Sequence, residues 1–220
     1  MALLLLVAAA GSGARLGRGE PKALVSLAGR PMLGWVLDTL APLSFDRAVV
    51  SAPPDRLEDF AAVAGARALV VPGGVTRAES VRRGFDALAP ADADHVCIHD
   101  AARPLVTAAE TRAVIEAARV GGAAIAAMPM ADTVKRVEPS GRTIAETLDR
   151  STLWAAATPQ VFRVDLLRAA LARGGEATDE AALVEAAGFP VTVVPVSRLA
   201  FKITTAEDLA LAEAWKAWRA

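Results

Sequence analysis

Short runs of uninterrupted apolar residues alternate along this chain with stretches whose apolar residues recur every three or four positions. No other feature restricts the fold as much. The runs Leu3 to Ala9, Arg47 to Ser51, Ala68 to Val71, His95 to His99, Ala123 to Met128 and Val191 to Val196 read as strands. Between them lie the helical patterns Met32 to Leu40, Asp55 to Ala64, Arg77 to Leu88, Ala108 to Arg119, Val164 to Ala172, Asp179 to Ala187 and Ala206 to Trp218. Strands apolar on both faces need helices on both faces, so the expected class is α/β with a mostly parallel sheet. At 220 residues, 54% of them hydrophobic, the chain has material for one domain and too little for two ordinary ones.

The apolar opening Met1 to Ala10 has no basic leader. Glycines follow at once, far short of the roughly 20 apolar residues a membrane span needs. A buried first strand is the expectation, with a cytoplasmic protein and no membrane partner. Lysine and arginine number 24 against 25 acidic residues, a net charge of -1. That balance lacks the basic footprint of non-specific nucleic-acid binding, so any anion must be held locally. Cys97, the lone cysteine, excludes a disulfide framework and sits where a small buried hydrophobe fits. His95 and His99 lie four apart on a strand without a third ligand and read as structural.

From about 131 to 160 the rhythm breaks into two alternating runs around Pro139-Ser-Gly141, a hairpin signature. Such an insertion is either an interaction arm or lid, or an ordinary antiparallel edge extension. The domain organisation expected is one unit over 1–220 carrying this insertion.

The first strand runs into Ala8-Ala-Ala-Gly-Ser-Gly-Ala-Arg-Leu-Gly-Arg-Gly-Glu-Pro-Lys22, where small residues let backbone N–H groups approach phosphates and Arg15 and Lys22 add charge. Gly11, Gly13 and Gly17 are spaced one residue too long for a dinucleotide fingerprint, and no Gly-Lys-Ser/Thr follows. A structural turn would also explain the glycines. Only four lysines occur, Lys22, Lys135, Lys202 and Lys216, which favours a role for a lysine in a loop. A second glycine turn leads through Gly74 to Arg77 and Ser80 at a helix start, either an anion site or a plain cap. Asp100, just beyond a strand end, is placed to hold a hard cation such as Mg²⁺, or to pair with Arg103. Thr133, Arg150, Thr158 and Lys202 supply hydroxyls and cations of the kind that phosphate and polyol recognition uses.

In order, Ala8-Ala-Ala-Gly-x-Gly-x-Arg15, Pro21-Lys22, Gly74-x-x-Arg-x-x-Ser80-Val, His99-Asp-Ala-Ala-Arg-Pro104, Asp132-Thr-x-Lys135, Leu148-Asp-Arg150, Leu153-Trp, Thr158-Pro-Gln160, Thr178-Asp-Glu-Ala181 and Lys202-Ile-Thr with Glu207-Asp-Leu209 resemble the cytidylyltransferase family of the non-mevalonate isoprenoid pathway. The resemblance spans essentially the whole chain. It implies a Rossmann-like nucleotidyltransferase fold, a twisted sheet flanked by helices with a protruding β-arm. The implied activity transfers a cytidylyl group from CTP to 2-C-methyl-D-erythritol 4-phosphate, releasing pyrophosphate. A sibling enzyme for another polyol phosphate, such as ribitol 5-phosphate, is the alternative.

Carried over residue by residue, the resemblance implies that Ala9, Ala10, Gly11, Gly13 and Ala14, with Gly74, Arg77, Ser80, Asp100 and Ala101, hold the nucleotide. Arg15 and Lys22 would be catalytic and Asp100 would hold Mg²⁺ or another divalent cation. In a homodimer the arm would cross to the partner, so that Thr133, Arg150 and Thr158 complete the other subunit's sugar-phosphate site, with Arg103 and Lys202 facing it. Lys216, on the terminal helix, is expected to be solvated. Two departures stand out: Ala23-Leu24 where relatives often carry Gln-Tyr, and Leu199-Ala200 where they carry Asp-Asn.

Overall fold

The computed structural model describes residues 1–11, 13–17, 19–92, 94–173 and 177–219. In chain order the elements are β1 (Leu3–Ala8), β2 (Ser26–Leu27), β3 (Arg30–Pro31), α1 (Met32–Leu40), β4 (Arg47–Ala52), α2 (Leu57–Ala64), β5 (Leu69–Pro72), α3 (Arg77–Leu88), β6 (His95–Asp100), α4 (Ala108–Gly121), β7 (Ala123–Pro129), β8 (Lys135–Val137), β9 (Ile144–Thr147), β10 (Trp154–Arg163), α5 (Val164–Arg173), α6 (Glu180–Ala186), β11 (Thr192–Pro195) and α7 (Ala206–Trp218). Threonines set three of the helix starts. Thr76 accepts from the Glu79 N–H, while Thr107 with Glu110 and Thr205 with Asp208 form reciprocal capping boxes.

Seven strands form one sheet in the order β11-β7-β10-β6-β1-β4-β5. Every pairing is parallel except those of β10, which runs antiparallel to both β6 and β7. Alternation along β1 divides the core. Leu3, Leu5 and Val7 join Leu33, Phe60 and Val114 from α1, α2 and α4 on one face. Leu4 and Leu6 join Val81, Phe85, Leu167 and Val184 from α3, α5 and α6 on the other. A third cluster places α7, through Leu209 and Ala212, against Leu16, Val25, Leu27 and Met32, behind the loop that carries Lys22. No helix among the described residues is long and apolar enough to cross a membrane.

The expected insertion over 131–160 needs correcting at its C-terminal end. β8 and β9 form the hairpin, antiparallel and exposed. Residues 154–160, however, belong to β10 inside the main sheet. The run Ala155-Ala-Ala-Thr-Pro159 hid this strand, because proline cannot donate to a ladder and argues against a central position. The sheet accommodates it with a register shift against β7 between Ala156 and Gln160. Lys216 is not simply solvated either: its ammonium sits 3.4 Å from the centre of the Trp35 ring, as a cation over a π face.

Candidate active site

Between β1 and β6 the chain order of the sheet reverses, and a crevice opens beyond the carboxyl ends of strands at such a point. A cleft of about 440 Å³ lies there, walled by Ala9, Ala10, Gly11, Gly13, Arg15, Lys22, Gly74, Arg77, Ser80, Asp100, Ala101 and Lys202. The loop after β1 closes on itself: the Lys22 N–H donates to the Gly11 carbonyl (3.3 Å) and the Leu16 N–H to that of Gly13 (2.8 Å). Gly13 has φ +70°, and a Cβ there would press on the Lys22 backbone at 3.1 Å. Ser12, within the stretch expected to hold the nucleotide, lies outside the described residues, as does the side chain of Ala14.

Opposite stands the turn after β5. The Ser80 hydroxyl accepts from the Gly74 N–H (2.9 Å) and donates to the Thr76 carbonyl (2.9 Å), and the Ser51 hydroxyl donates to the Ser80 carbonyl (2.7 Å). Ser80 thus shapes the glycine turn from beneath. Gly73, which the motifs do not include, packs against Ala10: a Cβ would stand 2.6 Å from the Ala10 methyl. The two glycine loops therefore interlock through their smallest residues.

The charges are arranged around Asp100. Its carboxylate accepts from Lys202 Nζ (2.7 Å) and Arg77 Nε (3.2 Å), with Arg103 Nε at 3.9 Å. Burial alone would raise its pKa, but Arg77 and Lys202 outweigh that and hold it at about 2. Arg77 also donates to both oxygens of buried Glu180 (2.8 and 2.9 Å). Burial pushes the Glu180 carboxyl up despite that partner. Glu180 lies in the Thr178-Asp-Glu-Ala181 motif, yet only its depth shows that it anchors Arg77. Burial, then the charges of Lys202 and Arg15, hold the Lys22 ammonium below the usual lysine range. Lys22, Lys202 and Arg15 thus crowd one another in a cleft where an anion would relieve them.

A smaller pocket adjoins, lined by Arg77, Asp100, Arg103, Thr158, Gln160, Asp179 and Lys202. Arg103 donates to the carbonyls of Ala200 (2.6 Å) and Ala156 (3.4 Å), while its buried Nε, beside Asp100, makes no hydrogen bond among the described residues. The acceptor at Ala200 is a backbone carbonyl, which any residue at that position would supply. Thr158 is buried on β10 beside Asp100 in its own subunit, so the idea that it crosses with the arm is corrected: β10 holds it in the main sheet. Thr133 and Arg150 lie on the exposed arm outside both pockets, where Arg150 donates to the Ala131 carbonyl. Burial lowers the His99 pKa to about 4 and raises that of Cys97 to about 12, as suits core residues.

A doubly wound sheet with interlocked glycine loops and clustered cations at its switch point defines an α/β enzyme of the nucleotidyltransferase type. Residues 3–217 match the profile of the family IspD, 2-C-methyl-D-erythritol 4-phosphate cytidylyltransferase. The enzyme so named from Prochlorococcus marinus (strain MIT 9313) is 45% identical over 98% of this chain and 99% of its own. Among solved structures, 2-C-methyl-D-erythritol 4-phosphate cytidylyltransferase from Thermus thermophilus matches with TM-score 0.80 at 35% identity, covering 98% of each chain. The 4-diphosphocytidyl-2C-methyl-D-erythritol synthase of Anaerococcus prevotii matches with TM-score 0.86 at 28% identity, over 98% of this chain and 96% of that one. The chain belongs to the 2-C-methyl-D-erythritol 4-phosphate cytidylyltransferase family. It is a cytidylyltransferase of isoprenoid biosynthesis by the non-mevalonate route, and the ribitol 5-phosphate alternative is not favoured.

Proposed function

We propose that the larger cleft takes CTP and the smaller pocket the sugar-alcohol phosphate, so that a phosphate oxygen of the latter attacks the α-phosphorus in line and expels pyrophosphate. Bringing two anions together demands positioning and positive charge more than an acid or base. The observation that carries this reading is the crowding of Arg15, Lys22 and Lys202 around one cleft. Arg15 and Lys22 act on the charge that builds at the α-phosphate. Lys202 and Arg103, which line the smaller pocket, face the sugar phosphate.

Asp100 fits a divalent cation in a limited sense. Among the described residues no group of three or more His, Cys, Asp or Glu side chains is set to hold a metal unaided. Mg²⁺ bound largely by triphosphate oxygens needs only one or two protein carboxylates, and ionised Asp100 supplies one. Bound there, Mg²⁺ would neutralise triphosphate charge. The exposed arm, with Thr133 and Arg150 outside their own subunit's pockets, supports a homodimer in which each arm completes the partner's sugar-phosphate site. A cytoplasmic setting belongs to the same proposal, supported by the single buried thiol.

Pyrophosphate release with CTP and 2-C-methyl-D-erythritol 4-phosphate tests the site. Lys22→Ala should lower kcat roughly a hundredfold or more, as when one preorganised charge stabiliser is lost. Near-normal turnover would remove Lys22 from the catalytic role.

A further inference from the structure

His99 takes no part in the chemistry above, yet its ring stands where three pieces of the site meet. Its Nε2 lies 3.3 Å from the Arg103 carbonyl and its Nδ1 3.1 Å from the Thr158 hydroxyl. The Thr158 oxygen in turn accepts the Asp100 N–H at 3.0 Å, and the Arg103 N–H closes a turn onto the Asp100 carbonyl at 3.0 Å. Imidazole and hydroxyl are both buried.

The directions of these bonds follow from valence. A carbonyl only accepts, so Nε2 must carry the proton that faces Arg103. A neutral ring then leaves Nδ1 as an acceptor, and the Thr158 O–H must point at it. A ring protonated on both nitrogens would leave that hydroxyl hydrogen without an acceptor among the described residues, a costly state in a buried site. Thr158 therefore has its single hydrogen committed to His99 and one lone pair committed to Asp100.

We propose that His99 is a positioning residue for the transfer reaction: it orients the Thr158 hydroxyl, which holds the Asp100 backbone, while its other nitrogen ties the Asp100–Arg103 turn in place. A consequence bears on substrate recognition. Thr158 has no hydrogen left to donate to a phosphate oxygen and retains only a lone pair, able to accept from a polyol hydroxyl. The phosphate must be held by cations such as Arg103 and Lys202. The link to turnover rests on the reading of the pockets given above, whereas the proton positions do not.

Imidazole ¹⁵N spectra of the substrate-free full chain test the first half. His95 is the other histidine, so a His95→Gln variant assigns the signals. The expected result is an unprotonated Nδ1 and a protonated Nε2 on His99, preserved in Thr158→Ser and with Nδ1 shifted in Thr158→Val. A proton on Nδ1 overturns the proposal whether or not the pockets are correctly assigned. Kinetics test the second half. Thr158→Val and His99→Leu should each lower kcat by about tenfold, the low end for losing a group that orients a reacting one. The double variant should be no slower than either alone, and Thr158→Ser, which keeps the hydroxyl, should lose less kcat than Thr158→Val. If Thr158→Val changes only KM for the sugar phosphate while His99→Leu turns over normally, Thr158 is a direct contact and His99 positions nothing.

Discussion

A lysine ammonium pressed by two other cations and a carboxyl buried beneath an arginine are unfavourable arrangements in isolation. The first becomes reasonable around a bound polyanion, while the second is met by the arginine itself, which donates to both Glu180 oxygens. Arg77 stands at the hinge of the arrangement, shared between Asp100 at 3.2 Å and Glu180 at 2.8 Å. Removing one member of a buried pair leaves the other uncompensated, so Glu180→Ala should destabilise the fold by about 3 kcal/mol in urea titrations. Glu180→Gln, which keeps a hydrogen-bond acceptor, should lose less. Asp94 offers a pH-dependent case away from the cleft. It accepts the N–H groups of Ala2 (2.8 Å) and Ala91 (3.1 Å), and these bonds hold its carboxyl below the usual range. A depressed native pKa contributes stability above the unfolded-state value of about 3.9 and loses it as pH falls through the native value. The stability gap between wild type and Asp94→Asn should therefore be widest near neutral pH and close below about pH 4.

Among elements, the facing loops after β1 and β5 depend on the absence of side chains. Gly73 has the Ala10 methyl, the Ser80 hydroxyl and the Ala52 carbonyl within 3.2 Å of where a Cβ would stand, and none is the free end of a flexible chain. Gly73→Ala should force the loops apart, costing about 1–3 kcal/mol of stability and raising KM for CTP more than KM for the sugar phosphate. Equal changes in both constants would show that the loops do not shape the nucleotide end. Helix limits were legible for α1, α3 and α7 from apolar periodicity, and threonine caps mark the starts of α3 and α7. The strand β10 was not, because Thr158-Pro159 looks like a break until β6 and β7 hold it on both sides. Motif spacing likewise exposed Lys22, Asp100 and Arg103, whose charges have no place in an apolar rhythm. It could not show Glu180 or His99 as supports, since their roles consist in what they touch.

At the scale of the whole molecule, the proposed crossing of the arms has a direct consequence. If each sugar-phosphate site borrows Arg150 from the partner, Lys22→Ala and Arg150→Ala chains mixed as heterodimers place both lesions in one site and leave the other intact. Refolding the two impaired variants together in equal amounts should recover about a quarter of wild-type activity, since half the dimers are mixed and one of their two sites is whole. No recovery would mean that each arm serves its own subunit. Arg150→Ala alone should raise KM for the sugar phosphate far more than for CTP. The amino-acid sequence by itself determined the α/β class, the two glycine loops and several of the charged residues that line the cleft, because periodicity, small residues and isolated charges are local signals. Only the tertiary structure decided that β10 runs antiparallel within the sheet, that Thr158 stays at home beside Asp100, and which proton faces which acceptor around His99. Those outcomes depend on partners about 60 residues away in the chain, and no local pattern encodes the distance between them.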